Sequence, residues 1–527
     1  MSFTFNDPGM TTTARFNGTV VTQDAMHSPA MVYPNDDTRF PRNIYKVKFQ
    51  WRTAGNDFFR LTFTGPFSTT VVYSDGVDAE CAAATPPAGC FESDDQVWNA
   101  IAGSNAGQTV QVVVDGVKMG DANVYRSAPI TIGFSKRDVK GAIFYWSTTA
   151  AGVRRATVSN NLPDGYVVAK PVATVLPSPG GTVQCVACHT VSRSGKRMAA
   201  FTSSNPGGTG EYIYEVTPAS PPNVLVTTQI STAKGFATFS PDDQYVVSGE
   251  AMNKLGMFVA DTGVKVVDLP GIAAGTNPDW SPDYSGVVFS NKGGDSPGGA
   301  SLQFIPYQGD AGWGAVSTLV PSAGMMDTNL FPSFSPDGKA IAYGHGKGGH
   351  GDKTMQLWLI DSDGSKKVEL INANRRVNQQ LTNGQFENNQ PTWAPQGDLD
   401  WVAFNTARPY GVVIPNGGVQ QIWVAAIDRS RDGGAPDGGY DPSYPAFRFA
   451  FQDLTENNHR AFWVLDVRVD YPDGGLDAGI PDAGPCLMTD EMCSQTGGPD
   501  CCQPAVCDIG QSDGGGMGTY CRPVLLQ

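Results

Sequence analysis

The sequence is short of basic residues. It contains 36 Lys and Arg against 51 Asp and Glu, so its formal net charge at pH 7 is -15. Binding to nucleic acid depends on Lys and Arg side chains that neutralise phosphates. The charge therefore excludes nucleic acid as a partner class and disfavours an anionic membrane surface.

Long apolar segments and common catalytic motifs are also missing. No run of about 18 apolar residues occurs, which is the length that a membrane-spanning helix requires. Residues 1–6 have neither the charged n-region nor the apolar h-region of a signal peptide. We therefore predict no transmembrane segment, and either a processed mature form or a chain given without its export signal. The motifs G-x-S-x-G and H-E-x-x-H, the Walker loop and the dinucleotide fingerprint are absent, so we name no catalytic residue.

Turn-forming residues are abundant. The 527 residues include 62 Gly and 38 Pro, and only 17% of them are charged. This composition favours an all-β fold, and the length is enough for two or three domains.

One short motif carries redox chemistry. Cys185, Cys188 and His189 have the C-x-x-C-H spacing at which a c-type haem is attached. Two thiols form thioethers with the haem vinyl groups, and the next residue offers its imidazole to the iron. A chance match, a zinc half-site, a redox dithiol and a disulfide are the alternatives, but no second C-x-x-C or H-x-x-x-H completes a zinc site. We predict a covalent haem c with His189 as the proximal iron ligand.

The remaining cysteines indicate an oxidising compartment. The chain has ten, and the eight left after haem attachment are enough for four disulfides. Cys81 and Cys90 bracket a short loop that we expect to be closed by a disulfide. We therefore predict an exported protein, extracellular or at the cell surface, with the periplasm as the alternative.

Six cysteines lie in the tail, over residues 486–527, which we predict to be a small disulfide-rich module. Their order, with an adjacent pair in the middle, resembles that of the cystine-knot miniproteins. The resemblance implies the pairs Cys486–Cys502, Cys493–Cys507 and Cys501–Cys521. Six cysteines allow about 15 connectivities, so another disulfide-stapled topology remains open.

The middle of the chain repeats one phrase at intervals of about 40 to 60 residues. An aromatic residue, a Ser-Pro-Asp type turn and a short apolar strand follow one another, which is a hairpin signature. The copies begin at Phe239, Trp280, Phe334 and Trp393. They resemble the blades of TolB-like β-propellers. The resemblance implies a propeller over residues 139–470, for which we predict six blades, with seven as the alternative. It says little about activity, because propellers host both binding and catalysis.

The same register places the haem motif and a candidate sixth iron ligand. Cys188 and His189 take the places of Phe331 and Pro332 in an innermost strand. Innermost strands surround the central channel, so the predicted haem lies at one mouth of that channel. His459 follows the same register as Gln390 and enters the innermost strand of the closing blade, which makes it the candidate sixth ligand. Met326 is a weaker alternative, whose thioether would raise the reduction potential.

Acidic, glycine-rich segments form a linker and several loops. Residues 471–485 form an Asp/Gly/Pro linker whose composition cannot build a core. Acidic loops also make calcium a candidate cofactor. Asp361, Asp363 and Glu369 come nearest to a calcium loop, but they are more simply explained by a hairpin turn.

The N-terminal third forms a different unit. Residues 31–138 contain runs that alternate apolar with polar residues, which predicts a small β-sandwich of fibronectin-like type. Residues 1–30 are predicted to form an extended segment with no obvious local partner. Such a strand can add to the sheet of another subunit and link copies into a fibre, or it can dock on its own domain.

Three functions follow. We favour an exported monohaem c-type cytochrome on a propeller scaffold, exchanging electrons with a redox protein or another partner at the cell surface. The alternative is a structural or adhesive extracellular protein that forms fibres by strand exchange, with haem and calcium as stabilising cofactors. A haem enzyme such as a peroxidase would need an open iron position and a distal acid or base.

Overall fold

The computed structural model describes most of the chain. The described residues are 1–6, 14–150, 152–158, 166–169, 182–205, 209–216, 224–231, 236–249, 254–294, 298–349, 351–375, 387–413, 419–431, 435, 439–450, 452–465, 505–511 and 517–523. They belong to two compact units, Met1–Arg468 and Val469–Gln527. The linker predicted at 471–485 lies outside the described residues.

The first unit begins with a β-sandwich, as the alternating pattern predicted. Its strands are β1 (Ser2–Asn6), β2 (Thr19–Thr22), β3 (Ala30–Tyr33), β4 (Thr38–Phe40), β5 (Lys48–Arg52), β6 (Phe58–Thr64), β7 (Thr69–Ser74), β8 (Ala88–Glu92), β9 (Thr109–Val117), β10 (Asn123–Arg126) and β11 (Ile130–Phe134). Strands β3, β5 and β8 form one sheet and the other eight form the second. Phe49 of the small sheet meets Phe63 of the large one with ring centroids 5.0 Å apart, so aromatic side chains fill the space between the sheets. Short helical turns occur at Ala14–Asn17, Asp95–Trp98 and Asn99–Gly103.

The N-terminal segment has local partners, in agreement with the alternative that it docks on its own domain. Strand β1 pairs in parallel with β7, and β2 pairs in parallel with β10. These pairs place β1 and β2 at the two ends of the strand order β1-β7-β6-β9-β10-β2. Each of the two strands therefore pairs along one side within the chain itself and forms an edge of the sheet. The resulting sheet mixes parallel and antiparallel pairs, unlike the antiparallel sheets of a fibronectin-like sandwich.

Two observations concern the predicted disulfides. The bond between Cys81 and Cys90 is present, which confirms that prediction. In the second unit, β36 (Ala505–Gln511) and β37 (Met517–Pro523) form an antiparallel hairpin in which the Cα atoms of Cys507 and Cys521 are opposite each other. The other four tail cysteines lie outside the described residues, so the three predicted pairs stay predictions.

The rest of the first unit is a β-propeller, as the repeated hairpins predicted. The described residues form six four-stranded antiparallel sheets. Blade one contains β15 (Thr182–Val191), β16 (Arg197–Asn205), β17 (Thr209–Val216) and β18 (Val224–Ser231); blade two contains β19 (Ala237–Phe239), β20 (Tyr245–Gly249), β21 (Leu255–Val259) and β22 (Lys265–Asp268); blade three contains β23 (Thr276–Trp280), β24 (Gly286–Ser290), β25 (Leu302–Pro306) and β26 (Ser317–Val320). Blade four contains β27 (Thr328–Phe334), β28 (Ala340–Gly346), β29 (Gln356–Asp361) and β30 (Val368–Glu369); blade five contains β31 (Asn389–Trp393), β32 (Asp400–Thr406), β33 (Gln421–Ile427) and β34 (Phe447–Arg448); the closing blade contains β12 (Ala142–Ser147), β13 (Gly152–Thr157), β14 (Tyr166–Ala169) and β35 (Asn458–Val464). Short helical turns lie at Gly309–Ala311 and Ile371–Asn374.

The first strand of each of blades one to five, together with β35, surrounds an axial channel. Each of these strands contacts the corresponding strand of the next blade, and β35 contacts both β31 and β15. The closing blade takes β35 from the end of the propeller and its other three strands from the beginning, as the sequence predicted. This exchange joins both ends of the propeller segment in one sheet and removes a free inner edge. The blade number stays a prediction, because segments such as 170–181 and 376–386 lie outside the described residues.

The repeated Ser-x-Asp turn is held by its own side chains. In blade four, Ser335 donates from Oγ to Asp337 at 2.6 Å, and the Lys339 main-chain N–H donates to the same carboxylate at 3.1 Å. The Ala340 N–H in turn donates to Ser335 Oγ at 2.9 Å. Gly338 follows with φ +69°, a conformation that glycine adopts without strain.

The Asp337→Ala variant is expected to unfold more easily. It removes two hydrogen bonds of the turn and the 2.6 Å ion pair with Arg429, which together stabilise the fold by about 1–2 kcal/mol. The measurement is urea-induced unfolding, with Asp310→Ala, a change at a single exposed turn of blade three, as the control. Equal midpoints for the two variants would contradict the role of the turn.

Candidate functional site

A β-bulge recurs in the innermost strands. In β15 the strand register shifts between Ala187 and Thr190, and Cys188 has φ +48°. Positive φ recurs in other innermost strands. It occurs three residues before the aromatic residue of the repeat, at Asn277, Phe331, Gln390 and Arg460. An extra residue in one strand re-aims the side chains beside it. The bulge therefore sets which residues of each inner strand face the channel.

The channel is narrow and only partly polar. Its cavity volume is about 20 Å³, which is room for a water molecule. Its lining residues are Thr190, Ala237, Pro278, Asp279, Phe331, Pro332, Ser333, Gln390, Pro391, Thr392, Arg460 and Phe462. Two bulge residues carry buried polar atoms that have no hydrogen-bond partner among the described residues, namely both amide atoms of Asn277 and Oε1 of Gln390. Such atoms mark places where a ligand or water is accommodated.

His189 is fully buried beside the bulge of blade one. Its ring packs edge-on against Phe462 of the closing blade with centroids 5.3 Å apart. Neither ring nitrogen makes a hydrogen bond of good geometry within the described chain. Burial lowers the pKa of His189 to about 3, aided by the charge of Arg460 and opposed by the main chain of Phe144. The imidazole is therefore neutral at pH 7, which is the form that binds metals.

The two cysteines of the motif lie on the same strand and are not joined by a disulfide. Both are half-buried thiols. Cys188 packs beside an apolar cluster that includes Phe236, Phe331 and Met355. The motif is thus in an extended strand interrupted by a bulge, with an aromatic surface next to its second thiol.

Arg460 is a charged group that lies against this aromatic surface. It is only 8% exposed, and its Nε donates to the carbonyl oxygen of His189 at 3.2 Å. Its guanidinium carbon lies 4.5 Å from the ring centroid of Phe236, 5.1 Å from that of Phe462 and 5.6 Å from that of Phe331. Burial lowers its pKa to about 10, so the guanidinium remains charged at neutral pH.

Glu211 and Asp279 interact electrostatically with Arg460, and Arg193 interacts with Asp279. Glu211 is fully buried, and both of its carboxyl oxygens are without hydrogen-bond partners in the described part of the chain. Burial raises its pKa well above the usual value, although Arg460 opposes the shift. Burial also raises the pKa of Asp279, whose carboxylate accepts the Phe334 N–H at 2.6 Å. Arg193 donates to the carbonyl oxygen of Trp280 at 3.0 Å and interacts with the charge of Asp279.

The residues proposed as sixth ligand lie elsewhere. His459 is buried against Trp146, with ring centroids 5.6 Å apart. Its predicted equivalence with Gln390 is wrong by one residue, because Arg460 has the positive φ of the bulge and the channel-lining position. Met326 is 70% exposed in the loop before β27. For calcium, no group of three or more His, Cys, Asp or Glu with metal-binding geometry occurs within the described residues, and Asp363 accepts the Ser365 N–H within a turn.

Arg460 is the site residue that sequence reasoning missed. The aromatic residues of the repeat carry the signal that identifies Arg460. Trp463 comes three residues after Arg460, and Trp393 comes three residues after Gln390. Aligning those tryptophans places Arg460, and not His459, at the bulge.

Comparisons with known proteins concern the fold alone. No protein-family description and no curated protein match the sequence. Among solved structures, the chain is similar to a putative TolB from Agrobacterium tumefaciens at 14% identity and a TM-score of 0.31, covering 44% of this chain and 89% of that one. It is also similar to TolB from Acinetobacter baumannii at 14% identity and a TM-score of 0.32, covering 64% and 67% of the two chains. A third is the dihydro-heme d1 dehydrogenase NirN, at 14% identity and a TM-score of 0.31, covering 55% and 52%. Within the described residues, no helix is long and apolar enough to cross a membrane.

Proposed function

We propose that this chain is an exported monohaem c-type cytochrome. Cys185 and Cys188 would hold the haem through thioethers, and His189 would be an axial ligand of the iron. A bound haem supplies reversible one-electron chemistry, and the propeller supplies its setting and the surface for a redox partner.

The buried imidazole, whose nitrogens make no hydrogen bond of good geometry in the described chain, is the observation that carries this proposal. An imidazole is costly to bury when its hydrogen bonds are poor. The equivalent positions of the other inner strands hold Ala237, Pro278, Pro332, Pro391 and Ala461. None of these side chains carries a polar atom. A histidine in this position, directly after an unbridged thiol, is explained by a ligand role better than by packing.

The surroundings of the motif fit the chemistry of the group. Phe236, Phe331 and Phe462 offer apolar faces that exclude water. The charge of Arg460 beside these faces suits the carboxylates that a haem carries at its edge. Because His189 is fully enclosed, haem attachment requires the bulge of β15 to open and release the imidazole from Phe462.

Export is supported by the disulfide of the β-sandwich. The Cys81–Cys90 disulfide is of the kind that persists in oxidising compartments and is rare in the cytosol. A c-type cytochrome is expected in the same setting. The adhesive, fibre-forming alternative is weakened by β1 and β2, since both pair within their own chain.

The test is a reduced-minus-oxidised absorption spectrum of protein produced with a c-type maturation system, together with its mass under denaturing conditions. We expect a c-type α-band and a covalent haem adduct. The double variant Cys185→Ser, Cys188→Ser is expected to lose both completely, whereas Cys81→Ser, Cys90→Ser is expected to keep them. A native protein without the adduct, or a double variant that retains it, contradicts the proposal. High-spin iron would instead favour the open site of a peroxidase.

A further inference from the structure

We propose that Glu387 is a positioning residue for the bulge at Arg460, and that a proton on its carboxyl releases the Arg460 main-chain N–H. The switch is a property of the chain with or without haem. Only its consequence for an iron ligand rests on the proposed function.

A series of side-chain hydrogen bonds connects the two residues. Glu387 Oε2 accepts a hydrogen bond from the amide nitrogen of Gln420, whose Oε1 accepts one from the amide nitrogen of Asn405. Asn405 Oδ1 in turn accepts the main-chain N–H of Arg460 at 3.4 Å. All four residues are buried, so bulk water does not replace a partner that is lost. We call this series the Glu387 hydrogen-bond chain.

The chain has one possible direction while Glu387 is ionised. A carboxylate only accepts hydrogen bonds, and a main-chain N–H only donates them. Each of the two amides between these ends therefore turns its nitrogen towards Glu387 and its oxygen towards Arg460. The orientations of Gln420 and Asn405 are thus set by the chemistry of the two ends.

A proton on Glu387 makes the two ends incompatible. Oε1 accepts the Gly351 N–H at 2.7 Å, so the proton is placed on Oε2, where it faces Gln420. The carboxyl then donates, both amides turn over, and the amide nitrogen of Asn405 meets the Arg460 N–H. Two donors do not bond to each other, so the buried Arg460 N–H loses its acceptor.

The backbone at both ends of the chain has an unusual conformation. Glu387 has φ +51° and Arg460 has φ +45°, which residues other than glycine adopt at a cost in energy. Such conformations persist when the surroundings hold them, and Asn405 supplies part of that support to Arg460. The Nε of Arg460 also donates to the carbonyl oxygen of His189 at 3.2 Å. A change in the bulge therefore acts on the residue that the proposed function assigns to the iron.

Glu387 exchanges its proton near neutral pH. Burial raises the pKa of Glu387 to about 7, opposed by the hydrogen bonds from Gly351 and Gln420 and aided by the charge of Asp352. Among the described residues, Asp352 is the charged group that acts on this carboxyl. The carboxyl is therefore mostly protonated at pH 5 and mostly ionised at pH 9.

Other ionisable groups act on the bulge directly. The charges of Cys188, Asp279 and Glu211 interact with Arg460. Burial raises the pKa of both carboxyls, so they are alternative sources of a pH-dependent change there. His189, with a pKa of about 3, stays neutral between pH 5 and pH 9. The test has to separate these groups from the hydrogen-bond chain.

The experiment follows the main-chain amide signal of Arg460 by NMR from pH 5 to pH 9. The sample is the full chain, labelled with ¹⁵N-arginine and produced without haem maturation, and Arg460→Lys assigns the signal by its loss. We expect the parent signal to shift with a midpoint near pH 7. In Glu387→Gln we expect the signal to keep, at every pH, the position that it has in the parent at pH 5. The reason is that glutamine, like the protonated acid, presents a donor to Gln420.

Three further variants locate the source of the shift. Gln420→Leu cuts the chain and leaves Glu387 in place, so the Arg460 signal is expected to stop shifting near pH 7. Glu211→Gln removes a carboxyl that acts on Arg460 directly, and the shift is expected to remain. Glu215→Gln, at a partly exposed ion pair, is the matched control and is also expected to keep it. Unfolding curves show which variants are folded, and the parent titration is a test that needs no substitution.

The outcomes separate this inference from the proposed function. A parent signal that is constant between pH 5 and pH 9 overturns the inference. A shift that persists in folded Glu387→Gln or Gln420→Leu protein, or that Glu211→Gln abolishes, overturns it as well. Absence of haem from the native chain overturns the proposed function and leaves the Arg460 titration standing.

Discussion

The His189→Leu variant is expected to stabilise the haem-free protein. Leucine has a volume close to that of histidine and no polar atom, so it removes two buried nitrogens that have no good hydrogen bond in the described chain without opening a large cavity. Removing an unsatisfied buried polar group recovers about 1–3 kcal/mol. We expect the free energy of unfolding at pH 7.5 to rise by an amount in this range.

The gain in the free energy of unfolding is expected to grow as the pH falls. The pKa of His189 is about 3 in the folded protein against an ordinary value of 6.5. As the pH falls below 6.5, the unfolded chain takes up a proton that the folded chain cannot, so the native protein loses stability by about 1.4 kcal/mol per pH unit. At pH 5 this amounts to about 2 kcal/mol, all of which the leucine variant avoids.

Urea-induced unfolding at pH 5 and pH 7.5 measures both parts of this effect. The control is His27→Leu, because His27 is an exposed histidine whose partner Asp24 is also at the surface. A His189→Leu protein that is less stable than the parent at both pH values would show that the imidazole is a packing residue. In haem-carrying protein the same change would remove the proposed iron ligand, so we expect an altered spectrum there. A residue that destabilises the empty fold and is needed only with a cofactor is a functional residue.

Local patterns account for the parts of the fold that were predictable. An aromatic residue, a Ser-x-Asp turn and an apolar strand are adjacent in sequence, so each hairpin could be identified from its own residues. The repetition of the hairpin then implied the propeller and the inner position of β35. The Cys81–Cys90 bond was predictable for the same reason, because its short loop is a local feature.

Pairing over long distances was not predictable. Strand β1 pairs with residues 69–73 and β2 with residues 123–126, and nothing in residues 1–30 specifies a parallel partner. The one-residue error at His459 has another cause. The bulge at Arg460 interrupts strand alternation, and a shift of one residue exchanges the two faces of a strand. The alternation of apolar and polar residues in a sequence does not show bulges of this kind, although they decide which side chain faces the channel.

Glu387 is expected to make the protein less stable as the pH rises from about 4.5 to about 7. Its side chain is almost completely buried, and its carboxyl accepts the Gly351 N–H at 2.7 Å and a hydrogen bond from Gln420. Burial, together with the charge of Asp352, raises its pKa from 4.5 to about 7 against the effect of these hydrogen bonds. Over this pH window the folded chain holds a proton that the unfolded chain releases, so ionisation costs the fold about 3 kcal/mol once it is complete.

Glu387→Gln is therefore expected to raise the free energy of unfolding by up to about 3 kcal/mol at pH 8 and to leave it nearly unchanged at pH 4.5. Glutamine has the shape of the protonated acid and does not titrate. The amides of Gln420 and Asn405, which are hydrogen-bonded to each other, can turn over to keep the side-chain hydrogen bonds, at the loss of the 3.4 Å hydrogen bond that Asn405 accepts from the Arg460 N–H. Glu215→Gln, at a partly exposed ion pair with Arg197, controls for the loss of one carboxylate. A constant difference between Glu387→Gln and the parent across this pH range would show that Glu387 is ionised in both states.

Because Asn405 also accepts the main-chain N–H of Arg460 at 3.4 Å, the Glu387 hydrogen-bond chain ends at the bulge that faces the channel. His189 weakens the fold in acid and Glu387 weakens it towards alkaline pH, so we expect the double variant to have the flatter pH profile of stability.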